Sequence, residues 1–322
     1  MNALAKVCLL LVIVLVSLSA YLRLAHSGIG CADWPACYGQ IGVLSALSQP
    51  VSSESAYQQM VAEANEPMAW ATPLHRLVAS VLGLLILFLV ILSLRQKRQR
   101  LISLTLLGLT VFLAILGIRS GSLHSPAVVM GNLAGGFTML GLLGWMVFST
   151  NDGTETGHRR GVSTMTILAL AVLCLQIFLG GLTSANFAAS SCQTLPDCHG
   201  SWLPGKSLLD AMDLNRVHEV TSQGQAIGGQ ERIAIHKAHR LGALLAFVTV
   251  LIAALMALRA DRRYRVTGVL ILILLTMEFT VGVTAILTNL PIGLAVAHNW
   301  LAGLLLLALL KLLILSRGDY KS

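Results

Sequence analysis

Charged side chains are scarce in this chain of 322 residues: they make up 11% of it, whereas a typical soluble domain carries about a quarter. Aromatic residues are also few, at 6%, and proline occurs only eight times. The low charge excludes a soluble globular enzyme, and the high apolar content excludes a disordered chain. Collagen-like glycine periods and sustained heptads are absent as well. Since 56% of the residues are hydrophobic, the composition indicates an integral membrane protein.

Eight long apolar runs predict eight transmembrane helices, because a helix that spans a bilayer needs about 20 mostly apolar residues. A β-barrel would instead show alternating segments of about ten residues. The predicted class is therefore an all-α integral membrane protein. The predicted spans are residues 5–24, 73–94, 101–118, 127–148, 162–187, 234–258, 266–287 and 291–315.

The basic residues predict the orientation of these spans. Most of the 22 Lys and Arg residues fall in the short segments on one side, and such residues are retained on the cytoplasmic side. We therefore expect both termini in the cytoplasm of a bacterium, the chain in the inner membrane, and the long connections 25–72 and 188–233 on the outer side. The basic runs abut spans and contain no interleaved aromatics, so no nucleic-acid partner is expected.

Residues 1–150 and 162–322 read as two versions of one four-helix unit. In each half a first helix is followed by a cysteine pair with five residues between, then by His-Arg-Leu at the second helix, and finally by a fourth helix that opens with proline. Because each half has an even number of helices, the two halves have the same orientation. The sequence thus predicts two four-helix bundles that form a parallel repeat.

Three histidines near the outer ends of helices are candidates for chemistry, because a polar ring in hydrocarbon is costly without a partner. His239 and His298 lie on helices six and eight, and two imidazoles on facing helices can ligate a haem iron from both sides. His75 is the counterpart of His239 in the first half, where Asn132 or Gly131 stands at the position of His298. Arg76 and Arg240 follow two of these histidines and suit a haem propionate, although snorkelling arginines are the alternative for either one.

The cysteine pairs Cys31–Cys37 and Cys192–Cys198 are expected to face an oxidising compartment, where a disulfide in each loop is favoured. A four-thiolate zinc site is the competing interpretation. Two further groups have open roles. Glu278 is the only acidic residue deep in a span, and it either relays protons or is protonated and bonded to a neighbouring helix. His236 lies one helical turn before His239 and is a ligand-supporting, substrate-contacting or interfacial residue.

Several of these segments together have a familiar pattern. The motifs RLAHSGIGCADWPACYG, HRL, LGGLTSANFAASSCQTLPDCHG, AIHKAHRLGAL and LPIGLAVAHNWLAG, in this order, resemble the haem A synthase family of cytochrome oxidase assembly proteins. The resemblance covers nearly the whole chain. It implies an oxidoreductase that converts the C8 methyl group of haem O, its substrate, to the formyl group of haem A and passes the electrons to a b-type haem. Haem O synthase and oxidase assembly factors are the implied partners.

The resemblance also implies residue roles. His239 and His298 correspond to the ligands of haem B in the C-terminal half, and His75 corresponds to a ligand of the substrate haem in the N-terminal half. Cys31 with Cys37 corresponds to a redox-active or structural disulfide, and Cys192 with Cys198 to its counterpart.

Two positions of the N-terminal half depart from the family pattern: Thr72 stands where a glutamate is usual, and Asn132 where a histidine is usual. Neither can replace the usual group as base or iron ligand. One hypothesis is a haem A synthase with a modified substrate site, where Glu63 or Glu66 supplies the carboxylate. A second is a non-catalytic b-type cytochrome or haem-delivery factor. A third, a transporter, lacks the interrupted span that is typical of such proteins.

Overall fold

The computed structural model describes residues 1–24, 71–119, 126–149, 160–186, 188–192, 194–205, 207–214 and 229–317. Within these ranges the chain is helical, and eight helices are long and apolar enough to cross a membrane. The all-α class and the eight predicted spans are therefore confirmed, with ends that differ by a few residues. The spans are α1 (Asn2–Leu24), α2 (Ala71–Gln96), α3 (Arg100–Arg119), α4 (Pro126–Phe148), α5 (Arg160–Ala185), α6 (Gln230–Leu258), α7 (Arg262–Leu287) and α8 (Ile292–Arg317). A short helix, Ser207–Ala211, precedes α6.

Threonines inside the spans have their hydroxyl groups satisfied within the helix. Thr166 donates to the Val162 carbonyl at 2.7 Å, Thr183 to that of Leu179 at 2.8 Å, and Thr249 to that of Leu245 at 2.9 Å. Hydrocarbon offers no water as a partner, so a polar side chain in a span must find one in the protein. These bonds let otherwise apolar helices carry threonine at little cost.

The helices of each half contact one another in a closed ring. In the first half α1 and α3 each contact both α2 and α4, and in the second half α5 and α7 each contact both α6 and α8. This arrangement agrees with two four-helix bundles, while the parallel relation between the halves stays a prediction.

The two rings join through their first and fourth helices. Helix α8 contacts α1 and α4, and α4 also contacts α5. One buried cluster lies within the second half but includes Leu133 and Phe137 of α4, and another lies within the first half but includes Leu307 of α8. Because apolar side chains cross the boundary in both directions, the two halves share their core.

A tight turn connects α7 to α8. Asn289 and Leu290 adopt φ angles of 60° and 59°, and the Leu290 N–H donates to the Ala285 carbonyl at 2.6 Å. Pro291 then precedes α8. A helix commonly ends with such a left-handed residue, since it turns the chain while its amide satisfies a terminal carbonyl. The turn holds α7 and α8 side by side, so that polar side chains of the two helices can approach each other.

Candidate functional site

A cavity of about 490 Å³ opens within the second half, at the end where α6 begins and α7 ends. Its wall is mostly apolar and is built by α5, α6, α7 and α8 together with the loop after α5. Helices α1 and α4 of the first half also contribute, through Arg23, Leu24, Leu133 and Phe137. A concave apolar site with a few convergent polar groups is typical of cofactor binding.

Two of the predicted ligands meet in this cavity. His239 lies on α6 and His298 on α8, and their ring centroids are 6.4 Å apart with the ring planes at 87°. A metal–imidazole bond is about 2.0–2.1 Å long and the ring centre lies about 1 Å beyond the nitrogen, so two rings that ligate one metal from opposite sides have centroids about 6 Å apart. The observed separation fits one metal between the rings.

A bare metal ion would find too few ligands here. Among the residues that the structure describes, no three His, Cys, Asp or Glu side chains cluster as a metal site would require. Two imidazoles suffice only if the metal brings its other ligands with it. A haem does so, because the macrocycle supplies the remaining nitrogens and leaves two axial positions for histidine. The donor set therefore fits the haem that the sequence predicts.

Each of the two rings has a polar contact at its Nδ1 atom. Nε2 of Gln176 on α5 lies 3.0 Å from His239 Nδ1, within hydrogen-bond distance. Oε1 of Glu278 on α7 lies 3.2 Å from His298 Nδ1, a distance that suits an ion pair, although the described residues give Nδ1 no hydrogen bond. A contact at Nδ1 fixes the ring orientation and leaves Nε2 for a metal. Glu278 thus lies against His298 of a neighbouring helix, the contact that one of its two open roles requires. Gln176 was not predicted, although a glutamine within an apolar span was a usable signal.

Two glycines make room for the rings. A Cβ atom at Gly180 of α5 would lie 3.2 Å from Cε1 of His239, and one at Gly282 of α7 would lie 3.0 Å from Cε1 of His298. Distances this short are tighter than ordinary van der Waals contacts. Glycine at both positions therefore lets each imidazole lie close against the neighbouring helix.

Arg240 lies next to His239 and binds the loop that follows α5. Its Nη1 donates to the carbonyls of Thr194 and Asp197 at 2.6 and 2.7 Å, and its Nη2 donates to that of Cys192 at 2.6 Å. Sequence reasoning did not find this role. Three of the five guanidinium N–H groups donate to carbonyls, so the contact with a haem propionate, which stays a prediction, falls to Nε and the second N–H of Nη2.

The loop held by Arg240 is closed by a disulfide between Cys192 and Cys198, whose Cα atoms are 5.2 Å apart. This confirms the predicted pairing and excludes zinc ligation by these two thiols. Leu195 and Pro196 of the same loop line the cavity. The disulfide and Arg240 together hold this loop in place along one side of the cavity.

His236 is buried beside this loop. Its side chain is 3% exposed, and its Nδ1 lies 3.0 Å from the carbonyl oxygen of Ala188. It also lines the cavity. His236 is thus a buried group hydrogen-bonded to the backbone that connects α5 to the loop, and its burial contradicts the prediction that it contacts water.

The first half is described less completely. His75 is half-buried near the start of α2, Arg76 is exposed, and Asn132 is half-buried on α4. Cys31, Cys37, Glu63 and Glu66 lie outside the described residues, as does the side chain of Thr72. The predicted roles of His75, Arg76 and the first cysteine pair therefore stay predictions.

Comparison with known proteins identifies the family. Residues 2–310 match the family described as cytochrome oxidase assembly protein. The chain belongs to that family.

Among its relatives, a haem A synthase of Shewanella oneidensis is 32% identical over 96% of this chain and 94% of its own length. A haem A synthase of Neorickettsia sennetsu is 26% identical over 93% of this chain and 94% of its own length. That of Rhizobium meliloti is 26% identical over 86% and 79%, respectively. The likeness to these assembly proteins extends over both halves, so the predicted family resemblance is confirmed.

Proposed function

We propose that the chain is a haem A synthase, an oxidoreductase that converts the C8 methyl group of haem O to the formyl group of haem A for cytochrome c oxidase. Family membership and the full-length similarity to named haem A synthases support the reaction class. The observation that carries the proposal is the facing pair of His239 and His298 in an apolar cavity, at a separation that suits one iron.

His239 and His298 bind haem B in this proposal. The haem supplies one-electron redox chemistry when it is bound. The protein's part is to hold both Nε2 atoms toward the metal, through the contacts of Gln176 and Glu278 at Nδ1, and to keep the cavity apolar. Arg240 positions the disulfide loop beside the cavity, and its Nε atom, which has no hydrogen-bond partner in the described part of the chain, would be available to a propionate.

The N-terminal half, residues 1–150, carries the substrate site in this proposal, and residues 162–322 carry the b-type haem in a parallel repeat of the same unit. His75 binds the iron of haem O and Arg76 a propionate. With Thr72 and Asn132 in place of the usual glutamate and histidine, the second axial position is left open. Glu63 or Glu66 then supplies the carboxylate. Conversion of the methyl group to a formyl group removes four electrons and four protons and takes one oxygen atom from water, so these electrons would leave one at a time, by way of the haem held by His239 and His298, to an acceptor outside the chain.

The proposed location is a bacterial inner membrane with both termini in the cytoplasm, which the distribution of basic residues supports. Haem O synthase is the proposed source of substrate and oxidase assembly factors are the proposed recipients of product. The alternative of a non-catalytic cytochrome or delivery factor is not favoured, since the relatives that match over most of the chain are named haem A synthases.

The test is to purify the full chain from cells that make haem O but lack their own haem A synthase, and to identify the extracted macrocycles by chromatography and mass spectrometry. We expect haem B together with haem A or its hydroxylated precursor. His75→Ala should keep haem B and lose the oxidised product. Haem B alone from the unmodified chain would contradict the proposed reaction.

A further inference from the structure

The two rings of the candidate haem site differ in what contacts them from behind. His298 faces a carboxyl group and His239 faces an amide, and each group comes from a different helix than the ring it contacts. We infer that Glu278 and Gln176 are positioning residues that fix the two imidazoles, and that Glu278 makes His298 the stronger electron donor to the iron. This inference rests on the proposed haem B between the rings.

The geometry at His239 defines how Gln176 acts. If His239 ligates a metal through Nε2, its Nδ1 carries the proton and requires an acceptor. The amide of Gln176 lies 3.0 Å from this nitrogen. Its Oε1 is buried and has no hydrogen-bond partner among the described residues. The atom nearest to Nδ1 is Nε2 of this amide, and rotation of the amide by half a turn exchanges it for Oε1, which can then accept from Nδ1.

The chain makes space for this glutamine. A Cβ atom at Gly242, three residues after His239 on α6, would overlap the Gln176 side chain. Glycine at this position therefore lets the amide reach between α5 and α6. Because Glu and Gln have nearly the same shape, the pocket that accepts Gln176 has room for either side chain.

Burial explains why Glu278 depends on His298. Its side chain is only 16% exposed and lines an apolar cavity, where a polar group without a partner is costly. Its Oε1 lies 3.2 Å from His298 Nδ1, an ion-pair distance, and neither its Oε2 nor His298 Nδ1 has a hydrogen-bond partner in the described ranges. Within the described ranges the imidazole is thus the one side chain that contacts this carboxyl group, and the tight turn between α7 and α8 holds the two helices together.

The two acceptors differ in strength. A carboxylate oxygen accepts a hydrogen bond more strongly than an amide oxygen, and a stronger bond at Nδ1 raises the basicity of the ring as a ligand. A more basic ligand stabilises ferric over ferrous iron and lowers the reduction potential. Glu278 therefore lowers the reduction potential of the haem through His298, and Gln176 lowers it less through His239.

The experiment exchanges the two groups in the full-length purified protein. Glu278→Gln should raise the midpoint potential of the haem, and Gln176→Glu should lower it, with a low-spin spectrum kept in both. Each tenfold change in the ratio of ferric to ferrous affinity corresponds to about 59 mV for one electron. Spectroelectrochemical titration measures the potential, and electron paramagnetic resonance measures the ring orientation. Glu231→Gln removes the same charge from the first turn of α6, outside the cavity, and should leave the potential unchanged.

Shifts in opposite directions support the inference, because a merely structural role would not reverse sign between the two exchanges. Shifts in the same direction, no shift, or loss of pigment from both variants would overturn it. If only one variant loses the haem, the direction of the potential shift in the other variant decides whether the inference holds. The proposed function fails separately, if the unmodified protein binds no haem.

Discussion

The imidazole rings of His239 and His298, on α6 and α8, lie 6.4 Å apart with their planes nearly perpendicular. The two residues are 59 positions apart in sequence. The helices that carry them, α6 and α8, each contact both α5 and α7. Their approach is thus a product of the whole second half.

The first prediction concerns these two ligands. Replacing either His239 or His298 by alanine should abolish the low-spin haem spectrum, because a single remaining imidazole cannot complete the axial pair. Absorption spectroscopy of the reduced and oxidised protein measures the loss. His199→Ala is the matched control, since His199 is an exposed residue of the disulfide loop. A low-spin spectrum that survives in both ligand variants would show that other side chains bind the iron.

The second prediction concerns the loop that Arg240 holds. A lysine at position 240 cannot donate to three carbonyls in the fixed geometry of a guanidinium group. We expect Arg240→Lys to lower the free energy of opening this loop by about 1.5 kcal/mol, the contribution of one charged hydrogen bond. Hydrogen exchange of the loop amides measures it. The control is Arg76→Lys in the other His-Arg pair, where the exchange of residues 194–205 should not change. Unchanged protection in Arg240→Lys would contradict the role of the guanidinium.

The third prediction concerns the glycines against the rings. An added methyl group at Gly282 would lie 3.0 Å from the His298 ring and force it to move, at a cost of about 1–3 kcal/mol. Gly282→Ala should therefore change the axial geometry and lower the haem content, and Gly180→Ala should act in the same way on His239. The measurement is the amount of haem bound per amount of purified protein.

The control for this pair is Gly108→Ala on α3, where a new Cβ atom would meet nothing within 4 Å. Alanine is the better helix former, so this variant should be as stable as the parent chain or slightly more stable. Full haem content in Gly180→Ala and Gly282→Ala would mean that the rings have more freedom than the contacts indicate.

The fourth prediction tests stability away from the site. The buried Tyr264 hydroxyl on α7 donates to the Leu315 carbonyl of α8 at 2.9 Å. Tyr264→Phe should lower the free energy of unfolding by about 1 kcal/mol, the net value of such a bond. Thermal denaturation in detergent measures it, with the haem spectrum as the control that should not change. An unaltered midpoint would show that the bond contributes nothing to the packing of α7 on α8.

Much of the fold could be predicted from the sequence because each span is a long apolar run, and length alone separates such runs from core helices. The pair His239 and His298 was predictable for a related reason: ionisable residues are rare in spans and the cost of burying them makes them informative. The disulfide between Cys192 and Cys198 followed from spacing and compartment.

The contacts between helices were not predictable in the same way. Nothing in the local pattern around Gln176 indicates that its amide reaches His239 on another helix, and the partner of Glu278 was ambiguous until α7 and α8 were placed side by side. Arg240 shows the same limit, because its carbonyl partners belong to a loop more than 40 residues earlier. Pairings of this kind depend on tertiary geometry, which periodicity does not encode.

The participation of α1 and α4 in the cavity wall has a consequence for dissecting the chain. A fragment that starts at Arg160 would retain both imidazoles yet lack the side chains of Arg23, Leu24, Leu133 and Phe137 that close the far wall. Lipid or water would then enter where the first half now stands. The cavity of the second half is therefore built jointly, and severing the chain between its halves would leave its wall incomplete.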